Sequence, residues 1–195
     1  MRKELVIGCG RRVVKDLHLE GMAHFNEYVT LDNNKDHCPN VLHDLTIHPL
    51  PFLDNEFDEI HAYDVLEHLA YQGDYKFFFN EFSEYWRILK NKGHMFVSVP
   101  QIGTTWAFGD PSHKRVITLE QLCFLDQKFY DQVGTTKASD FRSIYKANFN
   151  IVYHKTENNT FYFILEAIKD ENTCSTSELQ SDRRSGCAIL GGSAS

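Results

Sequence analysis

The stretch Glu4-Leu5-Val6-Ile7-Gly8-Cys9-Gly10 runs an apolar segment of strand length into a Gly-x-Gly turn, and Asp32 follows 22 residues after Gly10. Glycine takes backbone conformations that other residues resist, and it lets the chain pass close to a ligand. A dinucleotide fingerprint needs a third glycine three residues on, where the helix meets a pyrophosphate. Val13 stands there, after Arg11 and Arg12. A β-branched residue at that place points away from NAD or FAD and toward a nucleoside ligand without a pyrophosphate.

Outward from this turn, short β-rich runs alternate with helical patterns. Tyr28–Leu31 ends at Asp32-Asn33-Asn34, Val41–His43 at Asp44, and Asp58–Tyr63 at Asp64, while Met95–Val99 is closed by Pro100. Asp74–Lys90 predicts a helix with Phe78, Phe82, Tyr85, Ile88 and Leu89 near one face and Gly93 as its stop. Thr118–Phe129 predicts a second, with Thr118 as N-cap and Gln121 completing a capping box. The aromatic stripes on both read as core. Arg11–Glu27 carries no clean helical period. Asn150–His154 and Thr160–Ile168, joined by the polar residues 155–159, predict an antiparallel hairpin. Beyond Lys169 the chain turns polar, so one domain over 1–168 and a disordered tail over 169–195 are expected.

A chain of 195 residues with 42% hydrophobic and 24% charged content suits one globular domain. No stretch approaches the roughly 20 apolar residues of a membrane span. The five cysteines form no Cys-x-x-Cys pair, and the ten histidines are scattered. Neither a disulfide framework nor a metal site is expected, and a reducing, cytoplasmic setting is. A net charge of −7 disfavours nucleic acid as partner, since phosphate contacts need clustered Lys and Arg. A small-molecule acceptor is favoured, no membrane partner is expected, and the oligomeric state stays open.

Asp32, Asp44 and Asp64 each close a strand, so all three reach one edge of the sheet, where open α/β folds bind ligands. Each alone could be a turn former. Three in register make a carboxylate-rich pocket suited to ribose hydroxyls and a cationic ligand.

The chain resembles the class I, Rossmann-like S-adenosylmethionine-dependent methyltransferases, in particular the group with Leu-Glu-His after strand four. The matching pieces include Leu5–Gly10, Val29–Asp32, His43-Asp44-Leu45, Leu50–Ile60, Val65-Leu66-Glu67-His68-Leu69, Arg87–Gly93 and Val97–Pro100, in family order. The resemblance implies an α/β three-layer sandwich on a mostly parallel seven-stranded sheet, with the hairpin as its last two strands. It implies S-adenosylmethionine as cofactor, with Gly8, Cys9 and Gly10 under its methionine part, and Asp32, beside Asn33, on the ribose. Asp44 and the Leu45 backbone would read the adenine, Asp64 would lie at the methionine amino end, and His68 near cofactor and acceptor. The family often has an acid where Ile7 stands and a glycine where Arg12 stands, so the glycine loop is altered here.

The segment 101–117 follows strand five and carries Trp106, Phe108 and the run Gly109-Asp110-Pro111-Ser112-His113-Lys114-Arg115. In the family this segment overhangs the acceptor. His113 is the candidate base, Arg115 a candidate anion fork and Trp106 a wall against water. A hydrogen-bonded loop in which Asp110 and Arg115 pair is the plain alternative. The expected activity is methyl transfer to a small molecule, sugar or nucleotide; an inactive cofactor-binding module serving as partner or sensor is the alternative. A nicotinamide-dependent oxidoreductase is disfavoured by Val13 and by the lack of a Tyr-x-x-x-Lys pair.

Overall fold

The computed structural model describes residues 2–11 and 14–169. Seven strands form one sheet: β1 (Lys3–Ile7), β2 (Glu27–Asp32), β3 (Val41–Leu42), β4 (Phe57–Tyr63), β5 (Leu89–Pro100), β6 (Phe149–Glu157) and β7 (Thr160–Ala167). Their order is β3-β2-β1-β4-β5-β7-β6. β3, β2, β1, β4 and β5 run parallel, and β7 lies antiparallel between β5 and β6. This is the expected mostly parallel α/β sheet with an antiparallel end. The expected disordered tail lies, from residue 170 on, outside the described residues. Lys169 is docked: its backbone N–H donates to Asn91 Oδ1 at 3.0 Å, and its ammonium stands 4.5 Å from the centroid of the Trp86 ring. Among the described residues no helix is long and apolar enough to cross a membrane.

The described residues form three α-helices, α1 (Tyr75–Ile88), α2 (Thr105–Gly109) and α3 (Leu119–Cys123). Asp74 caps α1, its Oδ1 accepting from Phe77 N at 3.0 Å. α1 buries Phe79, Phe82, Tyr85 and Ile88, the stripe expected of a helix laid on a sheet. It stops before Lys90 and without Gly93, because the fully buried Leu89 already pairs with Phe57 in the sheet. Gly93 instead lies inside β5, where a Cβ would come within 3.1 Å of the Asp58 carbonyl oxygen. The second expected helix is also shorter. Thr118 caps α3, its N–H donating to Gln121 Oε1 at 2.9 Å, but Asp126 accepts from Lys128 N and starts a separate 3-10 turn over Gln127–Gln132. The hairpin loop shrinks from the expected five residues to Asn158-Asn159, whose φ values of 50° and 67° are those of a tight primed turn.

The two faces of the sheet are covered differently. Ile60 and Ala62 of β4 join the main core with α1, while Tyr63 packs on the opposite face with Phe96 and Ile164. Leu17 and Leu19 cover that second cluster from a segment that forms no helix. A polar network pins the same segment: Lys15 Nζ lies 2.8 Å from Glu4 Oε2 and 2.9 Å from Glu59 Oε2, and His61 Nε2 lies 3.1 Å from Glu59 Oε2. The second layer is thus irregular chain where a helix would complete the sandwich.

Candidate functional site

The parallel strands deliver their C-terminal ends to one edge, and there a cavity of about 220 Å³ opens. Gly8, Asp32, Asn33, Asp44, Leu45, Asp64 and His68 line it, with His43, Val65 and Leu69. Cys9 and Gly10 line an adjoining cavity with His37 and Cys38. The nine residues assigned to the cofactor therefore gather around one sheet edge.

Asp32 is 6% exposed and well held. Its Oδ2 accepts from Gly10 N at 2.9 Å and faces His37 Nδ1 at 3.1 Å, and its Oδ1 accepts from Asn34 N at 2.8 Å. Burial pushes its carboxyl up, but the Asn34 and Gly10 amides and His37 outweigh that and hold it below the ordinary range. Burial and the Asp32 charge push the neighbouring Cys9 thiol up, so it is a packed thiol and no nucleophile. Asp44 Oδ1 accepts from both the amide and the hydroxyl of Thr46 at 2.8 Å, which lowers its pKa and fixes the turn. Asp64 takes a left-handed φ of 56° at the end of β4, where its N–H donates to the Ser98 carbonyl at 2.9 Å. An aspartate tolerates that conformation, and it turns the chain into the 3-10 turn Leu66–His68.

Asp64 and His68 also border a second cavity of about 310 Å³ with Glu67, Pro100, Trp106, Asp110, His113 and the hairpin turn Asn158–Thr160. The loop after β5 reaches this place because Lys114 N donates to the Glu67 carbonyl at 2.8 Å and Gln72 N to the Lys114 carbonyl at 3.1 Å. His113 Nδ1 bonds the Trp106 carbonyl at 2.9 Å, and its ring meets His68 edge-on at 4.7 Å. Trp106 is 64% exposed at the rim.

Arg115 goes elsewhere. Its Nε donates to the Leu66 carbonyl at 2.7 Å and its Nη2 to Glu81 Oε2 at 2.6 Å, both groups buried. It borders an apolar cavity beneath α1 with Phe78, Phe79 and Phe141, apart from His113. Pairing of Asp110 with Arg115 is not formed either; Asp110 accepts from the Ser112 amide and hydroxyl.

Sequence reasoning missed three contributors: His37, the Asn158-Asn159 turn and Glu67. Glu67 is 2% exposed, neither of its carboxylate oxygens has a hydrogen-bond partner among the described residues, and burial pushes its carboxyl up to about 8. Its place inside Leu-Glu-His was the one available signal.

S-adenosylmethionine fits the first cavity by donor chemistry. Three carboxylates face a ligand with ribose hydroxyls, an amino group and two cationic centres, and Asp32 Oδ1 keeps a lone pair beside its bond to Asn34. At Gly8 a Cβ would stand 2.5 Å from Val65 Cγ2, so the loop lies as close to the end of β4 as a glycine allows.

A family model described as "Methyltransferase domain" matches residues 5–97. No curated protein matches the chain. Among solved structures, a SAM-dependent methyltransferase from Archaeoglobus fulgidus is similar at TM-score 0.52 and 16% identity, over 85% of this chain and 86% of that one. The N-methyltransferase NodS from Bradyrhizobium japonicum WM9, in complex with S-adenosyl-L-homocysteine, is similar at TM-score 0.51 and 12% identity, over 86% of this chain and 79% of that one. At such identities the structures speak for the fold, and the matched model covers the strands and turns that build the first cavity. Residues 5–97 of the chain match a methyltransferase domain, on a fold that the chain shares with solved S-adenosylmethionine-dependent methyltransferases.

Proposed function

We propose that the protein transfers a methyl group from S-adenosylmethionine to a small-molecule, sugar or nucleotide acceptor held in the cavity of Trp106 and His113. The observation that carries this reading is the convergence of Asp32, Asp44 and Asp64 on the cavity behind Gly8. When bound, the cofactor supplies a methyl group on a good leaving group. The chain's own work is then to align the acceptor and exclude water. Asp64 and His68 belong to both cavities, so a methyl group placed there faces the acceptor side. His113, held by the Trp106 carbonyl, is the candidate to orient or deprotonate the acceptor, a role typically worth roughly 10²–10⁴-fold.

The test is calorimetric titration with S-adenosylmethionine, its demethylated product and NAD, followed by a product assay over an acceptor panel. Binding of the first two but not NAD, with a methylated product, is the expected result. Binding without any product across the panel favours the inactive cofactor-binding module; preference for NAD overturns both.

A further inference from the structure

The Leu66–His68 turn and the loop after β5 bring Glu67, His68 and His113 together, one ligand atom of each lying within 4.8 Å of the others. Glu67 points two bare oxygens into this space, and His113 Nε2 stands 3.9 Å from Oε1, too far for a hydrogen bond. A buried carboxyl without a hydrogen-bond partner is costly, and a cation is one group that would satisfy it.

The hydrogen bonds around the two imidazoles fix which nitrogen carries the proton. His113 Nδ1 faces the Trp106 carbonyl, an acceptor only, so Nδ1 is the donor and Nε2 keeps its lone pair. The Ser112 hydroxyl donates to Asp110 Oδ1 at 2.6 Å, so toward His68 Nδ1, at 3.0 Å, it accepts. His68 is thereby left with a bare Nε2 as well. Rings oriented by an Nδ1–H bond to an oxygen, with Nε2 free, are the arrangement of metal-bound histidines.

We propose that Glu67, His68 and His113 form a binding site for one divalent transition cation at the junction of the two cavities. Two imidazoles and one carboxylate favour Zn²⁺, Co²⁺ or Mn²⁺ over Mg²⁺. With metal–ligand bonds of about 2.1 Å, tetrahedral donors stand roughly 3.5 Å apart, so the 3.9 Å between Glu67 and His113 closes with a small side-chain movement. Asp110 Oδ2, 4.0 Å from His113 Nε2, adds negative charge at the rim. Three protein ligands leave a coordination position open toward the cavity of Trp106 and Asn158. A second trio, Glu4, Glu59 and His61, has similar spacing, but the Lys15 ammonium already occupies it. The sequence offered no metal signal because the ligands lie 45 residues apart and only one adjacent pair, Glu67-His68, is visible.

The site stands on its own geometry and does not require methyl transfer; with the cation bound, His113 Nε2 is a ligand and no longer a base for the acceptor. Its test is calorimetry on the full chain, stripped with chelator, using ZnCl₂, CoCl₂ and MgCl₂, with the visible absorption of Co²⁺ as second readout. One equivalent of Zn²⁺ and of Co²⁺ should bind, and Mg²⁺ far more weakly. Glu67→Gln and His113→Ala should each weaken Zn²⁺ at least tenfold, while His154→Ala, on the exposed face of β6, should change nothing. If Glu67→Gln does not fold, the half-buried His68→Ala carries the same comparison. Absence of saturable Zn²⁺ and Co²⁺ binding by the folded wild-type chain, or equal binding by wild type and variants, overturns the proposal. S-adenosylmethionine affinity measured on the same samples reports separately on the cofactor cavity.

Discussion

The imidazole of His37 faces the carboxylate of Asp32 at 3.1 Å, across the turn that follows β2. Asp32 is the acid proposed to hold the ribose; its Oδ1 can take one hydroxyl, and a second would compete with His37 for Oδ2. Asp32→Ala should cost roughly 1.5–3 kcal/mol of S-adenosylmethionine affinity, about tenfold or more. His37→Ala should act oppositely, tightening binding about fivefold by removing a competing hydrogen bond worth about 1 kcal/mol. Calorimetry on both variants checks the pair. Weaker binding by His37→Ala would mean that the imidazole itself contacts the ligand.

Arg115 holds α1 to the turn after β4 and does not open toward the cavity of Trp106 and His113. Arg115→Met should therefore destabilise the fold by about 3–5 kcal/mol, because it leaves the Glu81 carboxylate buried and unpaired. The double variant Arg115→Met/Glu81→Met should regain most of that loss, since two apolar side chains leave no stranded charge. Urea denaturation measures both. A small loss in Arg115→Met, with weakened acceptor binding, would return this residue to the acceptor site.

The gathering of Asp32, Asp44 and Asp64 at one sheet edge was legible because each closes a strand: it needed only the strand ends and their parallel order. Arg115 was misread because its partner lies 34 residues upstream, on the buried face of α1. Glu81 there looks like any helical glutamate, and the sequence does not say that it is fully buried. Glu67 escaped for the same reason: burial of a carboxylate depends on what the loop after β5 lays over it. The ends of α1 and α3 moved because tertiary pairing overrides local propensity. Leu89 joins the sheet at once, and Asp126 opens a new turn.

Glu4 predicts how stability depends on acid. Burial pushes its carboxyl up, but His61, Lys15 and Asn26 outweigh this and bring it down to about 2 from the usual 4.5. Between those values the unfolded chain binds a proton that the folded chain does not. Stability from this group is fully present above about pH 4.5 and is lost as pH falls through about 2. At ~1.36 kcal/mol per pKa unit the contribution is about 3 kcal/mol. Glu4→Gln should be less stable than wild type near neutrality, and the gap should narrow by about that amount between pH 5 and pH 2. A gap independent of pH would show that packing, not charge, is what Glu4 contributes.

Gly8 and Gly10 flank one cysteine in the same loop, yet they answer to different constraints. Both have positive φ, 55° and 52°. Among the described residues a Cβ at Gly10 would meet nothing within 4 Å, whereas one at Gly8 would lie 2.5 Å and 2.8 Å from the two γ-carbons of Val65. Val65 is buried and β-branched, with little rotamer freedom to yield. Gly10→Ala should thus cost about 1–2 kcal/mol for the left-handed backbone alone. Gly8→Ala adds overpacking of about 1–3 kcal/mol, and it pushes the loop away from Asp64, so cofactor affinity should fall with stability. Val65→Ala placed behind Gly8→Ala should recover the packing part and leave the backbone part. Denaturation and calorimetry on the three variants separate the terms; equal losses for Gly8→Ala and Gly10→Ala would mean that Val65 gives way and that the close approach of the loop to β4 does not shape the cavity.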